Sequence, residues 1–318
     1  MTSGNALATF NGVSKRFGAT QALNELSFDV PEGTVCGLLG PNGSGKTTAI
    51  RILLGLTRAT AGSSSLLGVT GQGEGFSSVV RQTGSLIEGP ALYDRATARQ
   101  NITIHAATKG IDNPDAEIAE LLDLVGLTDR ADSKSKGFSL GMKQRLGLAM
   151  ALLGKPRLVI LDEPTNGLDP SGIVEIRELI KRLPERGTSV LVSSHLLSEV
   201  ELMCDRAAII QYGNLLAEGT MSEIVSQSGM SGGYRITVRP DEVLKAVNTL
   251  AAVGVTAEAV GEGALRLSGP IQEGSQVNAA LVGAGIYVSE LRQESVDLER
   301  VFMSLTGGVD GDLGGPAK

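Results

Sequence analysis

Residues Gly40 to Thr47 read G-P-N-G-S-G-K-T, which satisfies the spacing G-x-x-x-x-G-K-[ST]. Such a run works only as the turn between a buried strand and the first turn of a helix. The context agrees: the apolar run Thr34 to Leu39 precedes it, and an apolar-periodic stretch begins near Gly45. Unpaired N–H groups at the helix start would point into the loop, where the helix dipole favours negative charge. Glycines at 40, 43 and 45 let the backbone wrap a phosphate without Cβ clashes. Lys46 is then placed to reach β- and γ-phosphates, and the Thr47 hydroxyl to coordinate Mg²⁺. A Gly-rich turn with a chance lysine is the bland alternative, and a match at all four fixed positions of the eight-residue pattern, in strand and helix context, argues against it.

The second chemical signal is L-V-I-L-D-E-P, Leu158 to Pro164. Four apolar residues make a buried strand, and two carboxylates emerge at its C-terminal edge, where α/β sheets place ligands. Asp162 is expected to hold the metal through its water shell, and Glu163 to orient and deprotonate an attacking water. Paired acids after a strand often serve a solvated turn or a helix cap; beside a phosphate loop the catalytic reading gains weight. A third run, Ser189 to Val192, also reads as a buried strand, so the region from about Ala8 to Ile210 is expected to be an α/β sheet covered by crossover helices. A mostly helical insertion, roughly residues 93–155, interrupts it, with Asp115 to Val125 and Leu140 to Leu153 apolar at helical spacing.

Phosphate loops and strand-end acids occur in several families, and the helical insertion separates them. F-S-L-G-M-K-Q-R, Phe138 to Arg145, resembles the ABC signature motif L-S-G-G-Q-x-Q-R, with Leu140 and Met142 in place of a Gly and the Gln. N-G-L-D, Asn166 to Asp169, resembles the D-loop of that family, and S-S-H-L, Ser193 to Leu196, follows a strand as its switch histidine does. The chain thus resembles the ATP-binding subunit of an ABC transporter over about Ala8 to Ser226, with the motifs in family order. That resemblance implies a P-loop NTPase fold with a helical subdomain. It implies ATP and Mg²⁺ held by Gly40, Pro41, Asn42, Gly43, Ser44, Gly45, Lys46, Thr47 and Thr48. His195 would contact the γ-phosphate, Asp169 would belong to the nucleotide site, and Phe17 in S-K-R-F-G would stack on adenine. Ser139 and Gly141 would donate to the γ-phosphate of an opposite protomer, so a second copy of the chain is an expected partner, together with an integral-membrane permease.

One departure stands out. In S-L-I-E-G-P-A-L-Y-D-R-A-T, Glu88 occupies the place of the Q-loop glutamine of the family, and Gln82 lies six residues too early. A carboxylate there can ligate Mg²⁺ with a formal charge that an amide lacks. The substitution resembles the exporters of peptide antibiotics and drugs.

The Gly-rich run Ser226 to Gly233 reads as a linker, dividing the chain at about residue 228. After it the pattern is strand (Tyr234 to Val238), helix (Asp241 to Val253), strand (Thr256 to Val260), strand (Ala264 to Leu267), helix (Ile271 to Val282) and strand (Ile286 to Leu291). This βαββαβ order predicts a small α+β, ferredoxin-like domain over residues 229–306, closed by a helix from Val296 to Leu305. Residues 307–318 are too poor in apolar side chains to order themselves and are expected to form a disordered tail.

Lys plus Arg number 28 against 35 Asp plus Glu, a formal charge of −7, which disfavours nucleic acid as a partner. Cys36 and Cys204 lie far apart in apolar surroundings and read as core residues rather than a disulfide or metal clip. No run is long enough to span a bilayer, and the start lacks a basic region followed by a long apolar one, so a cytoplasmic protein peripheral to the inner face of the membrane is expected. A non-transport ABC ATPase would carry two cassettes or long heptad repeats, which are missing here, and a ligand-sensing regulatory module would not need Lys46, Asp162, Glu163 and His195 all intact.

Overall fold

A computed structural model of the chain describes residues 6–71, 73–227, 233–269, 274–294 and 298–305. They form two compact units, Ala6 to Met221 and Ser222 to Leu305, so the division falls seven residues before the expected one. The expected tail and part of the expected linker lie outside the described residues.

In the first unit, β1 (Ala6–Phe17) and β2 (Thr20–Pro31) form a long antiparallel pair. Next come β3 (Val35–Leu39), α1 (Lys46–Leu53), β4 (Ala61–Leu66), β5 (Val69–Thr70), α2 (Phe76–Arg81) and β6 (Gly84–Leu86). The helices α3 (Ala98–Lys109), α4 (Asp115–Leu124) and α5 (Leu140–Leu152) follow, then β7 (Leu158–Asp162), α6 (Pro170–Lys181), β8 (Ser189–Ser194), α7 (Leu197–Met203), β9 (Arg206–Gln211) and β10 (Asn214–Thr220). One sheet has the order β2-β1-β4-β5, the other β10-β9-β3-β8-β7-β6.

In the larger sheet β9, β3, β8, β7 and β6 run parallel. Every residue of β3, β7 and β8 is buried, as parallel strands covered on both faces require, and this is why they read as unbroken apolar runs. The core between the two sheets holds Leu38, Ile50 and Ile160 against Phe10 and Phe28, whose rings stack at 4.5 Å. Such a packed layer fixes the C-terminal ends of β3, β7 and β8 side by side, and the chemical residues sit there.

The expected helical insertion is α3, α4 and α5, which bury Ile102, Ile118 and Leu146 completely. A reciprocal capping box starts α3: Gln100 N–H donates to the Thr97 hydroxyl, and Thr97 N–H donates to the Gln100 side chain.

The second unit begins with α8 (Met221–Gln227), a helix that starts at the last residue of the first unit. It continues with β11 (Gly233–Thr237), α9 (Val243–Ala252), β12 (Thr256–Gly261), β13 (Ala264–Ser268), α10 (Gly274–Gly283), β14 (Glu290–Glu294) and α11 (Leu298–Leu305). The strand order is β12-β13-β11-β14 with every neighbouring pair antiparallel, the arrangement of a split βαβ motif. Tyr234, Ile236, Leu250, Leu265, Leu281 and Ile286 share its core.

Two expectations need correction. The last strand is Glu290–Glu294, not Ile286 to Leu291. Ile286 and Val288 do alternate into the core, but they have no ladder to join, because β11 ends at Thr237 opposite Glu290 and Val238 N–H turns to Gly263 O. The first helix begins at Val243, after a 3₁₀ turn at Pro240–Glu242. The expected starts of the other two helices, at Ile271 and Val296, fall outside the described residues.

Candidate functional site

The loop from Gly40 to Gly45 joins β3 to α1. Gly40 N–H donates to Ser194 O at the end of β8, which anchors the loop on the neighbouring strand. Gly45 caps α1 with φ +111°, and a Cβ there would stand 2.6 Å from Ala22 O, so both the torsion and the space demand glycine. The first N–H of α1 to bond back is Ala49, to Gly45 O, which leaves those of Lys46, Thr47 and Thr48 at the open helix end. Ser44 Oγ is buried without a hydrogen-bond partner among the described residues. A cradle too tight for a Cβ at Gly40 and Gly45, with orphaned donors and a buried hydroxyl, fits a phosphate group. Lys46 is buried in it, donating to Gly40 O at 2.7 Å and Pro41 O at 3.2 Å.

Across from Lys46, β7 delivers the acids. Asp162 is 5% exposed, and its Oδ1 accepts from Ser193 Oγ at 2.5 Å. Glu163, the next residue, turns out of the strand with φ +50°, a costly conformation for a non-glycine residue. Its N–H is held by Ser193, at 3.0 Å from Oγ and 3.3 Å from the carbonyl. The carboxylate then lies between two partners: Lys46 Nζ stands 3.2 Å from Oε1, and His195 Nδ1 stands 2.7 Å from Oε2. Lys46, Asp162, Glu163 and His195, chosen from three separate stretches of sequence, therefore form one cluster at the C-terminal edge of the sheet.

The remaining residues stand apart from that cluster. Ser139 caps α5, accepting from Met142 N–H at 3.2 Å, and Gly141 lies in the first turn. Asp169 caps α6 and is solvent-facing, and the Ser171 hydroxyl donating to it at 2.7 Å holds its carboxyl below the usual range. Phe17 is half-exposed at the end of β1, with Lys15 Nζ 4.7 Å above the ring centroid. The Glu88 carboxylate is paired with the Arg51 guanidinium of α1 at the surface. Among the described residues no group of three or more His, Cys, Asp and Glu side chains is arranged to hold a metal ion by itself, and Glu88, held by Arg51, does not complete one with Asp162 and Glu163 in this conformation.

Comparison with known proteins decides what this geometry belongs to. The ABC transporter family model matches residues 23–166. Over 298 residues the chain is 39% identical to YdbJ of Bacillus subtilis, an ABC transporter ATP-binding protein, covering 93% of this chain and 94% of that one. The chain belongs to the ABC transporter ATP-binding proteins. It is also 37% identical to the bacitracin transport ATP-binding protein BcrA of Bacillus licheniformis, over 93% of this chain and 96% of that protein. The linearmycin resistance ATP-binding protein LnrL of Bacillus subtilis matches at 34% over the same shares. A solved ATP-binding subunit of an ABC transporter superposes with a TM-score of 0.64 at 32% identity, covering 70% of this chain and 93% of that one.

As an ABC ATPase the chain binds and hydrolyses ATP. Its fold is the P-loop NTPase fold expected from the motifs. Sequence reasoning passed over the roles of Ser193 and Ser194, which the structure ties to the cluster, and of Arg51, which holds Glu88 apart from it. The serines did carry a signal, since two polar residues ending an otherwise apolar buried strand must find partners. Arg51 carried none, because its role depends on which loop lands beside α1.

Proposed function

We propose that this chain is the motor of an ABC exporter, hydrolysing ATP in a pair of composite sites formed with a second copy of itself. The observation that carries the reading is the Glu163 carboxylate, set between Lys46 and His195 at the mouth of the phosphate cradle. The loop N–H groups and Lys46 bind the phosphates and stabilise charge that develops on the γ-phosphoryl group. Glu163 takes the proton of the attacking water, and His195, hydrogen-bonded to it, holds that carboxylate in place and meets the γ-phosphate. Thr47 and Asp162 are the residues suited to hold Mg²⁺, which when bound neutralises phosphate charge. Phe17 stacks on adenine, Asp169 lies beside the nucleotide, and Ser139 and Gly141 complete the site of the opposite copy. Glu88 reaches the metal only after leaving Arg51.

The names of BcrA, bacitracin transport, and LnrL, linearmycin resistance, support an antibiotic-like substrate, and resistance is the effect that movement out of the cell would have. The reading gives the path of the substrate to a separate integral-membrane permease, with the motor at its inner face; among the described residues no helix is long and apolar enough to cross a membrane. Steady-state ATP hydrolysis by Glu163→Gln tests the assignment. Turnover is expected to fall at least about 100-fold while ATP still binds; wild-type turnover would remove Glu163 as the base.

A further inference from the structure

Ser193 occupies the one position that touches both strand-end acids at once. It lies directly opposite Asp162 in the parallel β7/β8 ladder, two residues before His195, and is completely buried. Its hydroxyl has two roles to fill and fills both, donating to Asp162 Oδ1 at 2.5 Å and accepting Glu163 N–H at 3.0 Å. The next residue, Ser194, accepts Gly40 N–H from the phosphate loop. The end of β8 therefore binds the loop, both acids and the switch histidine into one rigid corner.

From this geometry we infer that Ser193 is a positioning residue for hydrolysis, a role that rests on the assignment of Asp162 and Glu163 above. With Oδ1 engaged by the serine, Asp162 can turn only Oδ2 outward, so its rotamer toward a metal is fixed. The same oxygen holds Glu163 N–H while the backbone sits at φ +50°, and so keeps that carboxylate from relaxing back along the strand direction. An ordinary buried serine needs only satisfied hydrogen bonds. This one spends one on the Asp162 carboxylate and the other on the Glu163 backbone N–H, at the two acids whose orientation the chemistry depends on, and loss of a group that orients metal-directed ligands in this way lowers metal affinity or rate.

The test compares Ser193→Ala, Ser193→Thr and the parent chain, full length. Ser193→Ala is expected to lower kcat about tenfold or more, with KM and Kd for ATP changed less than about twofold. Mn²⁺ binding to the ATP-loaded chain, read by electron paramagnetic resonance in the Glu163→Gln background, should weaken by a similar factor when Ser193→Ala is added. Ser193→Thr, which keeps the hydroxyl on a strand-compatible side chain, should restore most of both. Parental kcat and Mn²⁺ affinity in Ser193→Ala would overturn the inference, as would a parallel fall of ATP affinity and urea midpoint with kcat, which marks a merely structural serine. Glu163→Gln run alone separates the two levels: if it keeps parental turnover, the assignment of the base has failed, and if it is inactive while Ser193→Ala is unaffected, only the role of Ser193 has failed.

Discussion

Lys46 Nζ and Glu163 Oε1 face each other at 3.2 Å, so the cation of the phosphate loop and the carboxylate of the strand end neutralise one another across the site. The ammonium is almost wholly buried and Glu163 is one-fifth exposed, which makes this more than a surface ion pair. On the proposed function, nucleotide is expected to draw Lys46 toward phosphate and leave Glu163, still tethered to His195, facing water, so that loading the site and freeing the proposed base would be one movement of charge.

Lys46→Met should remove detectable turnover and weaken ATP binding. Because Glu163 keeps His195, the loss of stability is expected to stay at about 1–3 kcal/mol, measured by urea unfolding without nucleotide. Loss of the fold itself would mean that the pair is structural before it is catalytic.

Gly45→Ala is the sharpest test of the cradle. A methyl group there would lie 2.6 Å from a backbone oxygen, Ala22 O, at a torsion of +111°. We expect a destabilisation of about 1–3 kcal/mol and a larger loss of ATP affinity than Gly43→Ala, where the torsion of +81° is strained but a Cβ meets nothing within 4 Å. Isothermal titration of both variants with ATP would contradict this if their affinities matched.

The Arg51 and Glu88 side chains are each about half-exposed or more, so their pairing should contribute less than about 1 kcal/mol to stability. The effect on metal use should be larger. If Glu88 approaches Mg²⁺ after leaving Arg51, then Arg51→Met should lower the Mg²⁺ concentration needed for half-maximal hydrolysis, and Glu88→Gln should raise it. Identical Mg²⁺ curves in all three chains would deny Glu88 any part in metal binding.

Burial pushes the Cys36 thiol from 9.0 to about 12 and the Cys204 thiol well above its ordinary value. Below about pH 9 Cys36 is protonated in folded and unfolded chains alike, and its contribution to stability is fully present. Above that the unfolded thiol ionises first, so the native state binds more protons and stability falls as pH climbs toward 12. Urea midpoints between about pH 9 and about pH 11 should therefore decline less steeply in Cys36→Ala than in the parent. At neutral pH, iodoacetamide should label neither cysteine until the chain is unfolded.

The cluster was readable before the structure because each member carries a local reason to be where it is. Gly45 needs its torsion, Lys46 opens a helix, and Asp162 and Glu163 end a strand that is otherwise wholly apolar. The parallel sheet and the βαββαβ order after it are expected from short runs bounded by turns, whereas the separate antiparallel sheet β2-β1-β4-β5 is not. What sequence could not yield was pairing between distant segments. Arg51 meets Glu88, and Ser193 meets Asp162 and Glu163, only because α1 and the β6 end, or β7 and β8, are brought together by the core. The last strand was misplaced for the same reason: Ile286 and Val288 alternate as a strand does, yet strand pairing depends on where β11 stops.

With hydrolysis blocked, two copies are expected to close on ATP. Light scattering of Glu163→Gln with ATP and Mg²⁺ should give roughly twice the 32.9 kDa of a single chain, reverting when ATP is withdrawn. A mass that stays at one chain, with nucleotide bound at saturation, would contradict the composite site.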